Sequence, residues 1–323
     1  MTVEGAKDAI AAAPLSAQID EESILYANFH GEGVVAVSVN HIYFYTQELK
    51  LRIKVCYAEK IKNLKVSKVF TEDKFAIFVC IEDNSTVFRF FSFEDYDFFK
   101  KTLTMKTILD LKFSNRLLAV FRPLAVEVYF LNINKHREFQ HILLQNYSFN
   151  YNVMFKSSAP GNFVTFLPDK DFLSILYCYN YDSVSCFVSI LFYLMSEAEE
   201  GYVSKNNLCV KGSVLHYEVS PDLVLYGIIT GENKLLLFER MNNTLIFAFN
   251  NTIRVLNGLS TFAFCEDSSK IVALKKDMIA VYDLNNNFVI TKILAQKAHQ
   301  LSFVVARNKI IVIRANEITL HEI

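Results

Sequence analysis

The sequence predicts an all-β protein, a seven-bladed β-propeller behind a short flexible tail, and three observations lead there. The apolar runs are short, about four to eight residues, rich in Val, Ile, Phe, Tyr and Leu and separated by Asn, Asp, Ser, Gly or Lys, which is the punctuation of strands. A phrase of three such runs, joined by tight polar turns, recurs along the chain. The roughly 300 residues after position 22 then divide into seven units of about 43, the length of a four-stranded blade.

In chain order, residues 1–22 are small, polar or acidic and carry no sustained apolar period, so they are expected to form a flexible tail, with one propeller domain over 23–323. The first phrase is 24–29, 34–39 and 42–45, with His30-Gly31-Glu32-Gly33 and Asn40-His41 as its turns. The phrase returns at 107–113, 116–121 and 126–131, at 214–219, 223–229 and 235–238, at 259–264, 271–274 and 279–282, and at 301–305, 310–313 and 318–321. Those copies are blades one, three, five, six and seven. Blades two, about 58–102, and four, about 141–205, follow from the spacing. Blade four contains the most hydrophobic stretch, 163–167, 172–179 and 184–194, with Asp182-Ser183 as a hairpin turn. Radial repetition suits such a pattern because it leaves only short strand edges uncovered.

Composition narrows the function. With 33 Lys+Arg against 34 Asp+Glu and a formal net charge of −1, the chain has no basic footprint for nucleic acid. Its densest basic stretch, residues 60–68, interleaves Lys60, Lys62, Lys65 and Lys68 with Ile61, Leu64 and Val66, as a half-exposed strand does. The longest apolar run, 184–195, is interrupted by Ser185 and Ser189 and falls short of the roughly 20 residues of a membrane span. Six cysteines, at 56, 80, 178, 186, 209 and 265, form no CxxC pair and read as reduced core residues. The seven histidines show no HxH or HExxH spacing, so no metal site is expected. No GxSxG, GxxxxGK[ST] or GxGxxG occurs, so neither an enzymatic activity nor a cofactor is expected.

Residues 107–113 (TILDLKF), 116–120 (RLLAV) and 128–133 (VYFLNI) resemble the third blade of the PROPPIN family, WD-repeat-like propellers that bind phosphoinositides. Residues 162–168 (NFVTFLP) resemble the family's blade-four phrase. Ser220-Pro221-Asp222, 235–238, 245–249 and 261–264 follow in the family's order, so the resemblance runs from about 24 to 323. It implies a peripheral membrane protein that recognises phosphatidylinositol 3-phosphate or the 3,5-bisphosphate. It also implies recruitment of autophagy or trafficking proteins to endosomal, vacuolar or pre-autophagosomal membranes from the cytoplasm.

The resemblance places the lipid site around the family's Phe-Arg-Arg-Gly motif, which here reads Phe249-Asn250-Asn251-Thr252. An arginine brings a permanent charge and a planar fork for phosphate, whereas an asparagine brings an uncharged amide. Losing two charge-assisted bonds of about 1.5–3 kcal/mol each weakens binding on the order of 100-fold or more. The family's blade-five His falls near Val210, beside Lys211. Its Ser corresponds to Thr230, and a further arginine has become Leu236 or Leu237. The resemblance therefore leaves Lys211, Thr230, Asn250, Asn251 and Arg254 as the phosphoinositide-binding candidates, with Lys275 and Lys276 as neighbours. The family's long hydrophobic blade-six loop is replaced by Asn285-Asn286-Asn287. The alternative reading is a degenerate propeller that serves as a protein-interaction scaffold without binding phosphoinositides.

Overall fold

The computed structural model describes residues 14–323 except 20–21, 32, 59–64, 73, 84, 115, 123–124, 134–138, 149–162, 167–171, 182–183, 194–201, 210–213, 242–243, 248–257, 287, 297–300 and 307. After β1 (Leu15–Gln18), sheet one is β2 (Ile24–His30), β3 (Gly33–Ser38), β4 (His41–Tyr45) and β5 (Leu51–Cys56). Sheet two is β6 (Lys65–Thr71), β7 (Phe75–Glu82) and β8 (Ser85–Ser92), with β9 (Asp97–Phe98) and β10 (Leu103–Met105) both paired to β8. Sheet three is β11 (Asp110–Ser114), β12 (Leu117–Phe121), β13 (Ala125–Ile133) and β14 (Phe139–Ser148). Sheet four is β15 (Phe163–Phe166), β16 (Phe172–Tyr181), β17 (Val184–Tyr193) and β18 (Tyr202–Cys209). Sheet five is β19 (Val214–Val219), β20 (Leu225–Thr230), β21 (Leu235–Met241) and β22 (Thr244–Phe247). Sheet six is β23 (Leu259–Phe264), β24 (Lys270–Lys275), β25 (Met278–Asp283) and β26 (Val289–Gln296). Sheet seven is β27 (Leu301–Ala306), β28 (Lys309–Arg314) and β29 (Glu317–Glu322), completed by β1.

Consecutive sheets share buried cores. Val35, Ile42 and Phe44 of sheet one pack with Phe78 and Phe91 of sheet two, and Phe88 and Phe90 pack onward with Leu118 and Val120 of sheet three. β15 lies beside both β11 and β19. Ile229 and Leu235 join Phe262 and Ile271 across sheets five and six, and Val272 and Val281 join Ile310 and Val312 across six and seven. Ile311 and Ile318 then return to Ala36 and Tyr43 of sheet one. The architecture is an all-β propeller. Second strands such as β3 and β28 are covered on both faces, which is why they read as unbroken apolar runs. An outer strand such as β5 is exposed along most of its length and alternates apolar with basic residues.

The expected tail over 1–22 needs correction. β1 pairs antiparallel with β29, from Leu15 opposite Leu320 to Gln18 opposite Glu317, and so supplies the fourth strand of sheet seven. Ile19 is buried, and Glu22 binds Ser38, Asn40 and His41. The misleading signal has a physical cause. An outer strand is exposed on most of its side chains and needs no apolar period, because its stabilisation comes from backbone pairing. The blade-four boundary also shifts, since 139–148 pairs with β13 in sheet three and 202–209 completes sheet four. β16 and β17 form the expected hairpin, although Asp182 and Ser183 lie outside the described residues.

Candidate functional site

In antiparallel four-stranded sheets laid side by side, the turns between second and third strands come to one face of the ring. The turns between first and second and between third and fourth strands come to the other. Thr230 ends β20, opposite Val214 at the start of β19, and so marks the first face. Its side chain is buried, and the turn after it is closed by backbone bonds from Thr230 N to Lys234 O at 2.9 Å and from Asn233 N to Thr230 O at 2.8 Å. Asn233 takes a left-handed φ of 58° and turns its carbonyl outward to accept Gly258 N at 2.8 Å and Leu259 N at 3.2 Å. The corner of sheet five is thereby tied to the first strand of sheet six.

Gly258 has φ +80°, a conformation that side chains disfavour, and a methyl group there would lie 3.9 Å from Lys276 Cε and 4.0 Å from Lys275 Cε. Lys275 is half-buried and Lys276 exposed, on the turn between β24 and β25, with Lys276 at φ 54°. Among the described residues neither lysine is paired with a carboxylate. Lys234, by contrast, is held by Glu232. The structure therefore brings Thr230, Lys275 and Lys276 to one corner. Lys211, Asn250, Asn251 and Arg254 lie outside the described residues. Lys234 was not singled out from the sequence, and its spacing from Thr230 across a tight turn was the available signal.

Packing holds the two sheets together beneath this corner. Gly227 of β20 lies so close to Phe262 that an added Cβ would sit 2.3 Å from Phe262 Cζ. His216 Nε2 is 2.8 Å from Phe262 O. Burial pulls the His216 imidazole below its ordinary pKa, and the Lys112 ammonium adds to that, against opposing pulls from Glu218, the Phe262 carbonyl and Asp110. Nearby Lys68 Nζ meets Asp110 Oδ1 at 3.1 Å. Among the described residues no group of His, Cys, Asp or Glu is arranged to hold a metal ion, and no helix is long and apolar enough to cross a membrane. Cys56, Cys80 and Cys265 are free. Burial pushes the Cys80 thiol up to about 11 and the Cys265 thiol up to about 12.

The connection from β25 to β26 is a compact turn. Asp283 Oδ1 accepts Asn285 N at 2.9 Å and Asn286 N at 3.1 Å, and Phe288 is buried. Beyond it Val289, Ile290 and Ile293 are exposed on the outer strand of sheet six.

The chain is similar to Kluyveromyces lactis Hsv2, with a TM-score of 0.57 and 10% identity over 91% of each chain. The fold is PROPPIN-like. Hsv2 of Kluyveromyces marxianus gives 0.53 at 8% identity over 91% of this chain and 90% of that one. A K. lactis Hsv2 with loop 6CD replaced by a Gly-Ser linker gives 0.56 at 9% over the same shares. No protein-family profile and no curated protein sequence matches the chain. The PROPPIN-like likeness is thus one of backbone, carried by very few identical side chains.

Proposed function

We propose that the chain is one seven-bladed PROPPIN-like propeller acting as a peripheral membrane protein. It recognises phosphatidylinositol 3-phosphate or the 3,5-bisphosphate and recruits partners in autophagy or endosomal trafficking. The observation that carries the reading is the corner at sheets five and six, where Lys275 and Lys276 stand together beside Gly258 without a carboxylate partner among the described residues. Seven described sheets and the fold shared with Hsv2 support it. Two ammonium groups near an outward-facing turn attract phosphate oxygens as point charges, without the bidentate geometry of arginine, so the expected affinity is modest and falls with salt. Thr230 supports the turn through its backbone and accepts Lys234 N at 3.4 Å. Lys211 and Arg254 complete the proposed cation set, with Asn250 and Asn251 as uncharged hydrogen-bonding neighbours. The membranes proposed are endosomal, vacuolar or pre-autophagosomal, reached from the cytoplasm.

A second reading, a protein-interaction scaffold without lipid recognition, is favoured by the Asn250-Asn251 pair and by the compact turn before Val289. Co-sedimentation of the purified chain with vesicles containing or lacking either lipid, at near-physiological salt, separates the two. Lipid recognition predicts selective pelleting that drops about tenfold or more in the Lys275→Ala/Lys276→Ala double variant, with smaller losses in Lys211→Ala and Arg254→Ala. Equal pelleting with both kinds of vesicle by a folded protein would leave the scaffold.

A further inference from the structure

The opposite face holds a second site, independent of the lipid reading. A cleft of about 520 Å³ opens there between sheets one and two, lined by His30, Phe44, Arg52, Ile53, Phe93 and Tyr96 among others. Its wall is a fixed aromatic lattice. The His30 ring meets Phe93 edge-on at 4.9 Å, Phe44 meets Phe93 edge-on at 5.0 Å, and Tyr96 meets Phe44 at 5.7 Å. Rings locked edge to face in this way have little freedom left to lose when a guest enters.

Arg52 is aimed into this cleft by a break in the strand ladder. Tyr45 pairs with Leu51 and Phe44 with Ile53, so Arg52 is the extra, unpaired residue of a β-bulge. A bulge puts two consecutive side chains on the same side of a sheet, and Arg52 and Ile53 accordingly both line the cleft. Arg52 is exposed and has no carboxylate partner among the described residues. The carboxylate at the mouth, Glu48, is taken by Lys50 at 2.7 Å. The cleft therefore presents an apolar aromatic wall and one guanidinium free to form a fork with an acid. A quaternary ammonium guest would meet that guanidinium's repulsion, and a phosphoinositide headgroup has no apolar body to fill the wall.

We infer that this cleft binds a short extended peptide of a partner protein, inserting a Phe, Tyr, Leu or Ile side chain while an adjacent Asp or Glu pairs with Arg52. β5 is the outermost strand of sheet one, and exposed Leu51 and Ile53 extend the apolar surface alongside it.

The test is to pan a displayed library of random short peptides on the full chain, then titrate fluorescein-labelled consensus peptides by anisotropy. Enriched peptides are expected to place an acid next to an aromatic or branched aliphatic residue. Arg52→Ala weakens the consensus peptide about tenfold or more. Ile53→Asp abolishes its binding, and Arg52→Glu prefers a version with Lys in place of the acid. Both positions are exposed, and unchanged melting temperatures verify that the variants are folded. Lys275→Ala/Lys276→Ala leaves peptide affinity unchanged, so failure of the lipid reading does not touch this result. No enrichment, enrichment without an acid, indifference to Arg52→Ala and Ile53→Asp, or displacement of the peptide by phosphoinositide vesicles would each overturn the inference.

Discussion

The turn between the second and third strands of sheet one and its counterparts in sheets five and six occupy equivalent corners of the ring and end in opposite chemistry. In sheet one, Asn40 O accepts Tyr57 N at 2.9 Å and Ala58 N at 3.3 Å, much as Asn233 O accepts Gly258 N and Leu259 N. The backbone solution is shared. The side chains differ, because in sheet one the chain delivers its own acid. Glu22 accepts from Ser38 Oγ, from Asn40 Nδ2 at 3.1 Å, and lies 3.0 Å from His41 Nδ1. In sheet six, Lys275 and Lys276 receive no such acid from the described residues. A corner whose donors are satisfied by the chain's own carboxylate has nothing to offer an anionic ligand, whereas one that presents uncompensated ammonium groups does. The propeller backbone sets where a ligand is met, and the side chains at each corner, an acid already occupied by its neighbours or lysines left uncompensated, decide which corner meets an anion.

Removing the acid should have the largest effect. Glu22→Ala leaves Ser38, Asn40 and His41 without their shared acceptor and should cost about 1–3 kcal/mol, a melting temperature lower by a few degrees. The pH dependence makes the effect specific. Burial pushes the Glu22 carboxyl up, but hydrogen bonds from Ser38, Asn40 and His41 outweigh it and hold the folded pKa at about 2 against 4.5 ordinarily. Below 4.5 the unfolded chain takes the proton first, so the contribution is complete above about 4.5 and is lost as pH falls towards 2. The gap between wild type and Glu22→Ala should therefore be constant from pH 7 to 5 and close on further acidification. A gap that widens in acid would mean that the corner is not held by the ionised carboxylate.

The sheet-five and sheet-six corner rests instead on packing, and Gly227→Ala should expose that. The new Cβ meets Phe262, itself buried and edge-on to Phe264 at 5.4 Å, so about 1–2 kcal/mol should be lost. Phe262→Leu in the same chain should recover part of it, measured as a double-mutant cycle in urea. Additive losses would show that the two residues do not meet. The smallest effect is a reactivity difference. Cys56 lies opposite His41 in the sheet-one corner and is half-exposed, whereas Cys80 and Cys265 are buried and poorly ionised. Among Cys56, Cys80 and Cys265, iodoacetamide should modify Cys56 first, and equal rates at the three would mean that burial does not protect the other two.

The strand phrases were legible because middle strands of a propeller are buried on both faces, as in residues 34–38 and 310–313, and burial writes itself as continuous hydrophobicity. β1 was not legible, since Leu15–Gln18 joins through backbone groups that any residue carries. Thr230, Lys275 and Lys276 were visible through the resemblance to the PROPPIN family, while the pairing of Lys234 with Glu232 depends on a turn geometry that spacing alone leaves open. The aromatic cleft was invisible for another reason. Phe44, Phe93 and Tyr96 look like core residues in the sequence, and only the bulge at Arg52 shows that part of their surface faces a space.

The pairing of Leu15–Gln18 with Glu317–Leu320 also sets an order in time. The seam of the ring joins Leu15–Gln18 to Glu317–Leu320, a contact of very long sequence separation and correspondingly slow formation. Six sheets can assemble from neighbours as they leave the ribosome, but the seventh waits for residues 317–322. Until then Ile19 has no Ile318 and Leu320 to bury against, and the growing chain carries an open edge at each end.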